Sequence, residues 1–271
     1  MTASAAESET PAWPPKVNVV GTPISTTTYD EVLALLDRRA RDRAVVVAVC
    51  NVHSVMTARR DAQLARALRT ATIATPDGVP LVWALRAMGH RRQTRVYGPD
   101  LMRAALPYGV ERGWRHYLYG GTPERLERLR SEVERIAPGA QIVGSHAPPF
   151  RPLTPAEEQR EIEDIRNSQA DLVWVGIGMP KQEKWMESVR ARLPGVALLG
   201  VGAAFDLLSG TVPQAPAWMQ RVGLEWLYRL RQEPRRLWRR YLINNPMYLV
   251  LLFGQLLTHG IRKRRGRSTA A

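Results

Sequence analysis

The chain lacks most of the patterns on which common chemistries depend. It holds one cysteine, Cys50, so no disulfide can form within it, which suits a cytoplasmic protein. No Gly-x-x-x-x-Gly-Lys-Ser/Thr run occurs, which excludes a P-loop, and there is no Gly-x-Ser-x-Gly elbow for a serine hydrolase. The five histidines lie far apart, without zinc spacing. No Asp-x-Asp pair is present to hold a divalent metal on a sugar diphosphate. Charge on such a ligand would have to be met by arginines and backbone dipoles. The apolar run Met247 to Leu257 is only about half of the ~20 residues that span a bilayer, and Gly254 and Gln255 interrupt it. Met1 to Pro15 is small, polar and proline-bearing, lacks the basic-then-apolar layout of a signal peptide, and reads as a disordered leader.

What is present is a chain of 271 residues, 45% hydrophobic, long enough to bury a substantial core. Its net charge of +14 is unevenly spread. From Ala217 onward there are 12 Lys/Arg against 2 Asp/Glu, whereas the first 216 residues hold 27 against 23. The body is therefore an ordinary soluble domain with a basic tail, which suits nucleic acid or an anionic membrane surface.

Strand-like and helix-like segments alternate through about Gly210. Val17 to Val20 reads as a strand and Glu31 to Arg41 as a helix with Val32, Leu35 and Leu36 at helical spacing. Ala44 to Cys50 is small and β-branched without alternation, as in a strand buried on both faces of a parallel sheet. Strands over Trp114 to Tyr119, Gln141 to Val143, Leu172 to Val175 and Val196 to Leu199 continue the pattern. A capping box at Thr154-Pro-Ala-Glu157 starts one of the intervening helices. The fold class expected is α/β, a Rossmann-like parallel sheet covered by helices on both faces, with a C-terminal helical basic appendage. The boundaries read as 1–15 leader, 16–210 catalytic domain and 211–271 membrane-associating appendage.

The centre of this arrangement is Thr75-Pro-Asp77-Gly78. Proline and glycine around one carboxylate fix a sharp turn and hold the acid at a strand end, where open α/β sheets bind ligands. Asp77 could equally cap the helix that follows. Asn51, Gly120 with Gly121, Gly176 with Gly178, and Gly200 with Gly202 would lie on the same sheet edge. Glycine turns there bring backbone N–H groups near phosphate, so several together suit a nucleotide-like ligand. Gly176-x-Gly178-x-Pro180 is not the dinucleotide fingerprint, and NAD is weakly supported. Lys181, Gln182 and Glu183 open a helix, either as first-turn surface residues or with Gln182 facing sugar hydroxyls. Arg95 fits a surface position or a phosphate ligand.

In the tail, Trp226, Tyr228, Trp238 and Tyr241 recur among arginines at helical spacing, which suits a helix lying in a bilayer interface. The closing Arg262 to Arg267 cluster would attract anionic lipid. A solvated basic tail or an RNA-binding arm is the plainer alternative.

Asn51-Val-His53, Thr75-Pro-Asp77-Gly78, Arg95-Val-Tyr-Gly-Pro-Asp100-Leu101, Gly176-Ile-Gly-Met-Pro-Lys-Gln182-Glu183, Gly202-Ala-Ala-Phe205-Asp206, Gly210-Thr-Val-Pro-Gln-Ala-Pro216 and Gly223-Leu-Glu-Trp-Leu-Tyr-Arg229-Leu together resemble the WecB/TagA/CpsF family of bacterial glycosyltransferases. The resemblance runs from about Val17 to Tyr241. It implies metal-independent, inverting transfer from a UDP-sugar to a polyprenyl-diphosphate-linked saccharide for a cell-envelope polymer such as teichoic acid. It also implies a cytoplasmic protein attached peripherally to the inner face of the membrane. No cofactor and no nucleic acid partner are expected, and homo-oligomerisation is left open. By position, Asp77 matches the family's proposed base, Asn51, Arg95 and Gln182 match its sugar-nucleotide pocket, and Arg221, Arg229 and Arg231 fall where appendage arginines are thought to contact diphosphate. Members often carry threonine two residues before the asparagine. Here that position is Val49, which leaves the donor sugar open. Rival readings are a non-catalytic membrane- or RNA-docking protein and an NAD-dependent oxidoreductase.

Overall fold

The computed structural model describes residues 13–39 and 42–268. The expected leader therefore falls almost wholly outside the described residues, as does the end of the helix expected to reach Arg41. The chain begins with an antiparallel hairpin, β1 (Lys16–Val19) and β2 (Thr22–Ser25). Val17 to Val20 reads as a short strand in the alternating pattern, with no hairpin partner in view. Instead Val20 and Gly21, both at positive φ, reverse the chain and pair β1 with a proline-bearing strand that the pattern did not reveal. The hairpin lies beside the edge of the main sheet, where Ser25 Oγ accepts from Ala74 N at 3.0 Å. An exposed strand edge is thereby partly covered.

The main sheet has six strands, all parallel: β3 (Val45–Cys50), β4 (Ile73–Pro76), β5 (Arg115–Gly120), β6 (Gln141–His146), β7 (Leu172–Gly176) and β8 (Ala197–Gly200). Their spatial order is β4-β3-β8-β7-β5-β6. The connecting helices are α1 (Tyr29–Asp37), α2 (Val52–Ala58), α3 (Ala62–Thr70), α4 (Val79–Ala87), α5 (Gly98–Val110), α6 (Pro123–Ile136), α7 (Pro155–Asn167), α8 (Lys181–Val189) and α9 (Ala204–Leu208). Four more complete the described chain: α10 (Ala217–Arg221), α11 (Glu225–Gln232), α12 (Pro234–Leu242) and α13 (Asn244–Ser268).

Every residue of β3 is buried, and the pleat sorts them. Val46, Ala48 and Cys50 join a core with α2, α3, α4, α7 and α8, whereas Val45, Val47 and Val49 join a second core with α1, α5, α6 and α9. A strand with helices on both sides has no polar face to show, and so its sequence does not alternate. The connections after β5 and β7 run to opposite sides, to β6 and to β8. Neighbouring strands whose connections diverge leave a crevice at their carboxyl ends. The pairing there is close. Gly120 sits opposite Gly176, and a Cβ on Gly120 would lie 2.6 Å from the Gly176 carbonyl carbon.

The C-terminal segments return to the body. Tyr248 of α13 is fully buried in the first core and donates its hydroxyl to Pro80 O at 3.1 Å. Gln255 donates to Asn18 O at 2.6 Å and accepts from Val20 N at 2.7 Å, which ties α13 to the hairpin. The opposite side of this helix leaves Val250, Phe253 and Leu257 exposed. No helix among the described residues is long and apolar enough to cross a membrane.

Candidate active site

The carboxyl ends of the sheet open into a cleft of about 1520 Å³. Its walls come from the body and from α11 and α12, which contribute Glu225, Trp226, Arg229, Trp238 and Tyr241 among others. Asp77 lies on this wall with its side chain 13% exposed. Its backbone N–H donates to Cys50 O at 2.8 Å, which holds the turn against the end of β3. The N-cap of α4 is Gly78, with no side-chain cap, so the helix-capping reading of Asp77 does not hold. The carboxylate instead meets Arg95, whose Nη2 is 3.3 Å from Asp77 Oδ1 and whose Nε donates to the Asp77 carbonyl. Burial raises the acid to about 6 against the opposing charge of Arg95, with help from the Glu225 carboxylate and opposition from an Asn51 hydrogen bond. A carboxyl group at that value is mostly ionised near neutrality and still basic enough to take a proton.

Asn51 is the N-cap of α2. Its Oδ1 accepts from Ser54 N at 3.2 Å, which fixes its orientation at the cleft floor. Val49 also lines the cleft, so an apolar side chain stands two residues before Asn51. Gly121, Gly176, Gly178 and Gly202 line the cleft too, with Gly120 immediately behind. Arg229 is in the wall, whereas Arg221 and Arg231 are exposed on the same appendage and are not part of it. Among the described residues no group of three or more His, Cys, Asp or Glu side chains is placed to hold a metal ion.

Gln182 and Glu183 are not first-turn surface residues. Both are 2% exposed, and the Gln182 side chain is packed against the Gly200–Gly202 turn. Gln182 Nε2 donates to Glu183 Oε1 at 2.9 Å. That leaves Gln182 Oε1 buried and unpartnered in the cleft wall, as are Trp185 Nε1 and Arg125 Nε. Buried polar atoms are nearly always hydrogen-bonded, so these three, with Glu183 Oε2 and His116 Nε2, are exceptions among the described residues. Beside them Trp185 stacks on Tyr119 with ring centroids 4.1 Å apart and planes at 11°. The sequence offered no signal for Trp185, Tyr119 or Arg125, since each reads locally as an ordinary core or helix-surface residue.

Burial raises Glu183 to about 7, partly offset by the Gln182 amide. An acid raised on folding contributes stability below its ordinary value of 4.5 and loses it as pH climbs through 7. Glu183→Gln is therefore expected to stabilise the protein at pH 8 by up to about 3 kcal/mol and to leave it nearly unchanged at pH 4.5. Urea denaturation at both pH values checks this, and equal shifts at the two would rule it out.

The Glycosyl transferase WecG/TagA/CpsF family matches residues 17–262 of this chain. An N-acetylglucosaminyldiphosphoundecaprenol N-acetyl-beta-D-mannosaminyltransferase of Bacillus subtilis (strain 168) is 30% identical over 203 residues, 75% of this chain and 77% of its own length. A protein with the same name from Bacillus spizizenii (strain ATCC 23059 / NRRL B-14472 / W23) is 30% identical over 210 residues, covering 77% and 79%.

Proposed function

The chain belongs to the WecG/TagA/CpsF family of glycosyltransferases, and on that premise we propose that it transfers a hexose of the N-acetylmannosamine type from a UDP-sugar to a polyprenyl-diphosphate-linked saccharide. The reaction proposed is inverting and independent of metal, and its product feeds a cell-envelope polymer such as the teichoic acid linkage unit. The single observation that carries this reading is Asp77, raised to about 6, on the wall of a cleft that also holds glycine turns and arginines.

Inversion needs a base on the side of the attacking hydroxyl and positive charge on the side of the leaving group. Asp77 takes the proton from the acceptor alcohol as the new C–O bond forms, and the bond to the nucleotide diphosphate breaks. The departing diphosphate is met by Arg229, Lys181 and Arg125, all on the cleft wall, and by the α8 N-terminus, which has no side-chain cap. Arg125 is held by Asp206 at 2.8 Å, which fixes its position before any ligand arrives. Gln182 Oε1 accepts from a sugar hydroxyl or amide N–H.

The acceptor is anchored in lipid, and the outer surface suits that anchor. Leu242, Val250, Phe253 and Leu257 are exposed along α12 and α13, and Trp238, Arg239 and Ile243 at the cleft rim, with Arg235, are exposed beside them. An apolar stripe edged by Trp and Arg favours peripheral attachment to an anionic membrane. The side chains of the Arg262 to Arg267 cluster lie outside the described residues.

The test is a thermal shift with UDP in the presence of EDTA, followed by UDP release from a UDP-sugar with a lipid-diphosphate-sugar acceptor. At UDP a hundredfold above Kd, stabilisation of about 2.7 kcal/mol is expected. No response to UDP together with a response to NAD or RNA would defeat the proposal.

A further inference from the structure

The contact that joins the appendage to the candidate base is made by a residue that sequence reading passed over. Glu225, at the start of α11, accepts from Arg95 Nη2 at 2.8 Å and from the Tyr97 hydroxyl at 2.8 Å. The same Nη2 lies 3.3 Å from Asp77 Oδ1, so one nitrogen serves two acids from two parts of the chain and sits closer to Glu225. Arg95 is held in the site by two further contacts. Its Nε is bonded to the Asp77 carbonyl, and its guanidinium carbon lies 3.9 Å over the Tyr97 ring. The approach of α11 is also built in. Gly223, at φ +78, precedes it, and a Cβ there would meet the Val79 side chain at 3.2 Å, just after the Asp77 turn.

We propose that Glu225 is a positioning residue that shares the Arg95 guanidinium with Asp77, so that Asp77 is held less tightly as an ion pair and accepts a proton more readily while α11 is seated on the body. The inference rests on the reading of Asp77 as the general base. Its physical content is a division of charge. An arginine paired with one carboxylate lowers that acid's pKa strongly, and a second carboxylate on the same arginine takes part of that effect away. A base with no appendage beside it would be a weaker base. Seating of α11 thus couples completion of the cleft to readiness of its acid, in one ion triad.

Among the described residues the strongest charges bearing on Asp77 come from two segments. Arg95 faces it from the segment before α5 and Glu225 from α11. Tyr97, Tyr29 and Cys50 also interact with its charge, but burial raises all three and keeps them neutral near pH 7. The expected response to losing the Glu225 charge therefore has one direction.

The experiment follows the Asp77 carboxyl by carbon-13 NMR in the full-length protein, with Asp77→Asn to assign the signal and thermal melting to check folding. Glu225→Gln keeps the shape and removes the charge. Its Asp77 midpoint is expected to fall by roughly one pH unit. Tyr97→Phe removes one of the two bonds that aim Glu225 and should move the midpoint part of the way in the same direction. In turnover, Glu225→Gln should shift the acid limb of the kcat profile down by the same amount and lower kcat roughly three- to tenfold above it, with KM for the UDP-sugar within twofold. A Glu225→Gln protein that melts earlier but titrates Asp77 like wild type would show a mere tether and overturn the proposal. Wild-type protein that releases no UDP would instead count against the proposed function, and the titration would still decide the role of Glu225.

Discussion

Asp77→Asn is expected to lower sugar transfer by about a hundred- to ten-thousandfold, the usual value of a positioned general base, and at the same time to make the protein more stable at pH 8. The two effects have one cause. Burial holds Asp77 at about 6 rather than at its ordinary 3.8, so the folded state carries an ionised acid that it would prefer protonated. For an acid raised in this way the stabilising contribution is complete below pH 3.8 and is lost as pH rises through about 6. At pH 8 the ionised form costs up to about 3 kcal/mol relative to a neutral one. Asparagine keeps the shape and removes the charge, so the difference from wild type should appear between pH 4 and 6 and be full at 8. For a domain of this size that is a rise of several degrees, at about 2–4 °C per kcal/mol. A simple structural role for Asp77 predicts the opposite, an Arg95 left with Glu225 alone to oppose its charge and an earlier melt. Differential scanning calorimetry at pH 4 and pH 8, beside a UDP-release assay, separates the two. Turnover within tenfold of wild type, or an earlier melt at pH 8, would remove Asp77 from the role proposed for it.

Tyr248→Ala is expected to cost about 3–5 kcal/mol, the range for deleting a large aromatic side chain from a core. Tyr248 is the aromatic side chain by which α13 enters the body. It is fully buried, and its hydroxyl reaches Pro80 O in the first turn after Asp77 and Gly78. The loss should therefore register in two places, in global stability and in the turn that carries the acid. Tyr248→Phe, which gives up only the hydrogen bond, should cost about 0.5–1.5 kcal/mol and leave the helix in place. Urea denaturation gives the energies, and limited proteolysis within residues 211–258 shows whether α13 has come away. A penalty for Tyr248→Ala below about 1 kcal/mol would mean that this helix is not an integral part of the body.

The sheet was legible because its strands obey a local rule. Val45 to Cys50 is apolar throughout, and only a strand covered on both sides tolerates that. The gathering of Asn51, Asp77 and the glycine turns on one edge followed from the same pattern, since successive parallel strands point their ends the same way. The hairpin was not legible, because Thr22-Pro-Ile-Ser25 has a proline where a strand signal is sought. The burial of Glu183 was not legible because an acid in a first helical turn is ordinarily solvated, and nothing nearby in sequence announces that this one is covered. Glu225 was missed for a related reason. Its partner Arg95 lies 130 positions away, and periodicity describes a residue's own helix, not what that helix is laid against. Of the three tail arginines that the family resemblance singles out, Arg221, Arg229 and Arg231, only Arg229 lines the cleft.

The amide of Gln255 joins the hairpin at both Asn18 and Val20, across more than 230 positions. During synthesis the first strands leave the ribosome long before this partner exists. The hairpin must wait, incompletely bonded, for a helix made after the whole main sheet. A chain stopped short of Gln255 can thus form the sheet and still leave Asn18 O and Val20 N without these two bonds. The cleft wall built from α11 and α12 likewise depends on residues that emerge after every strand of the sheet.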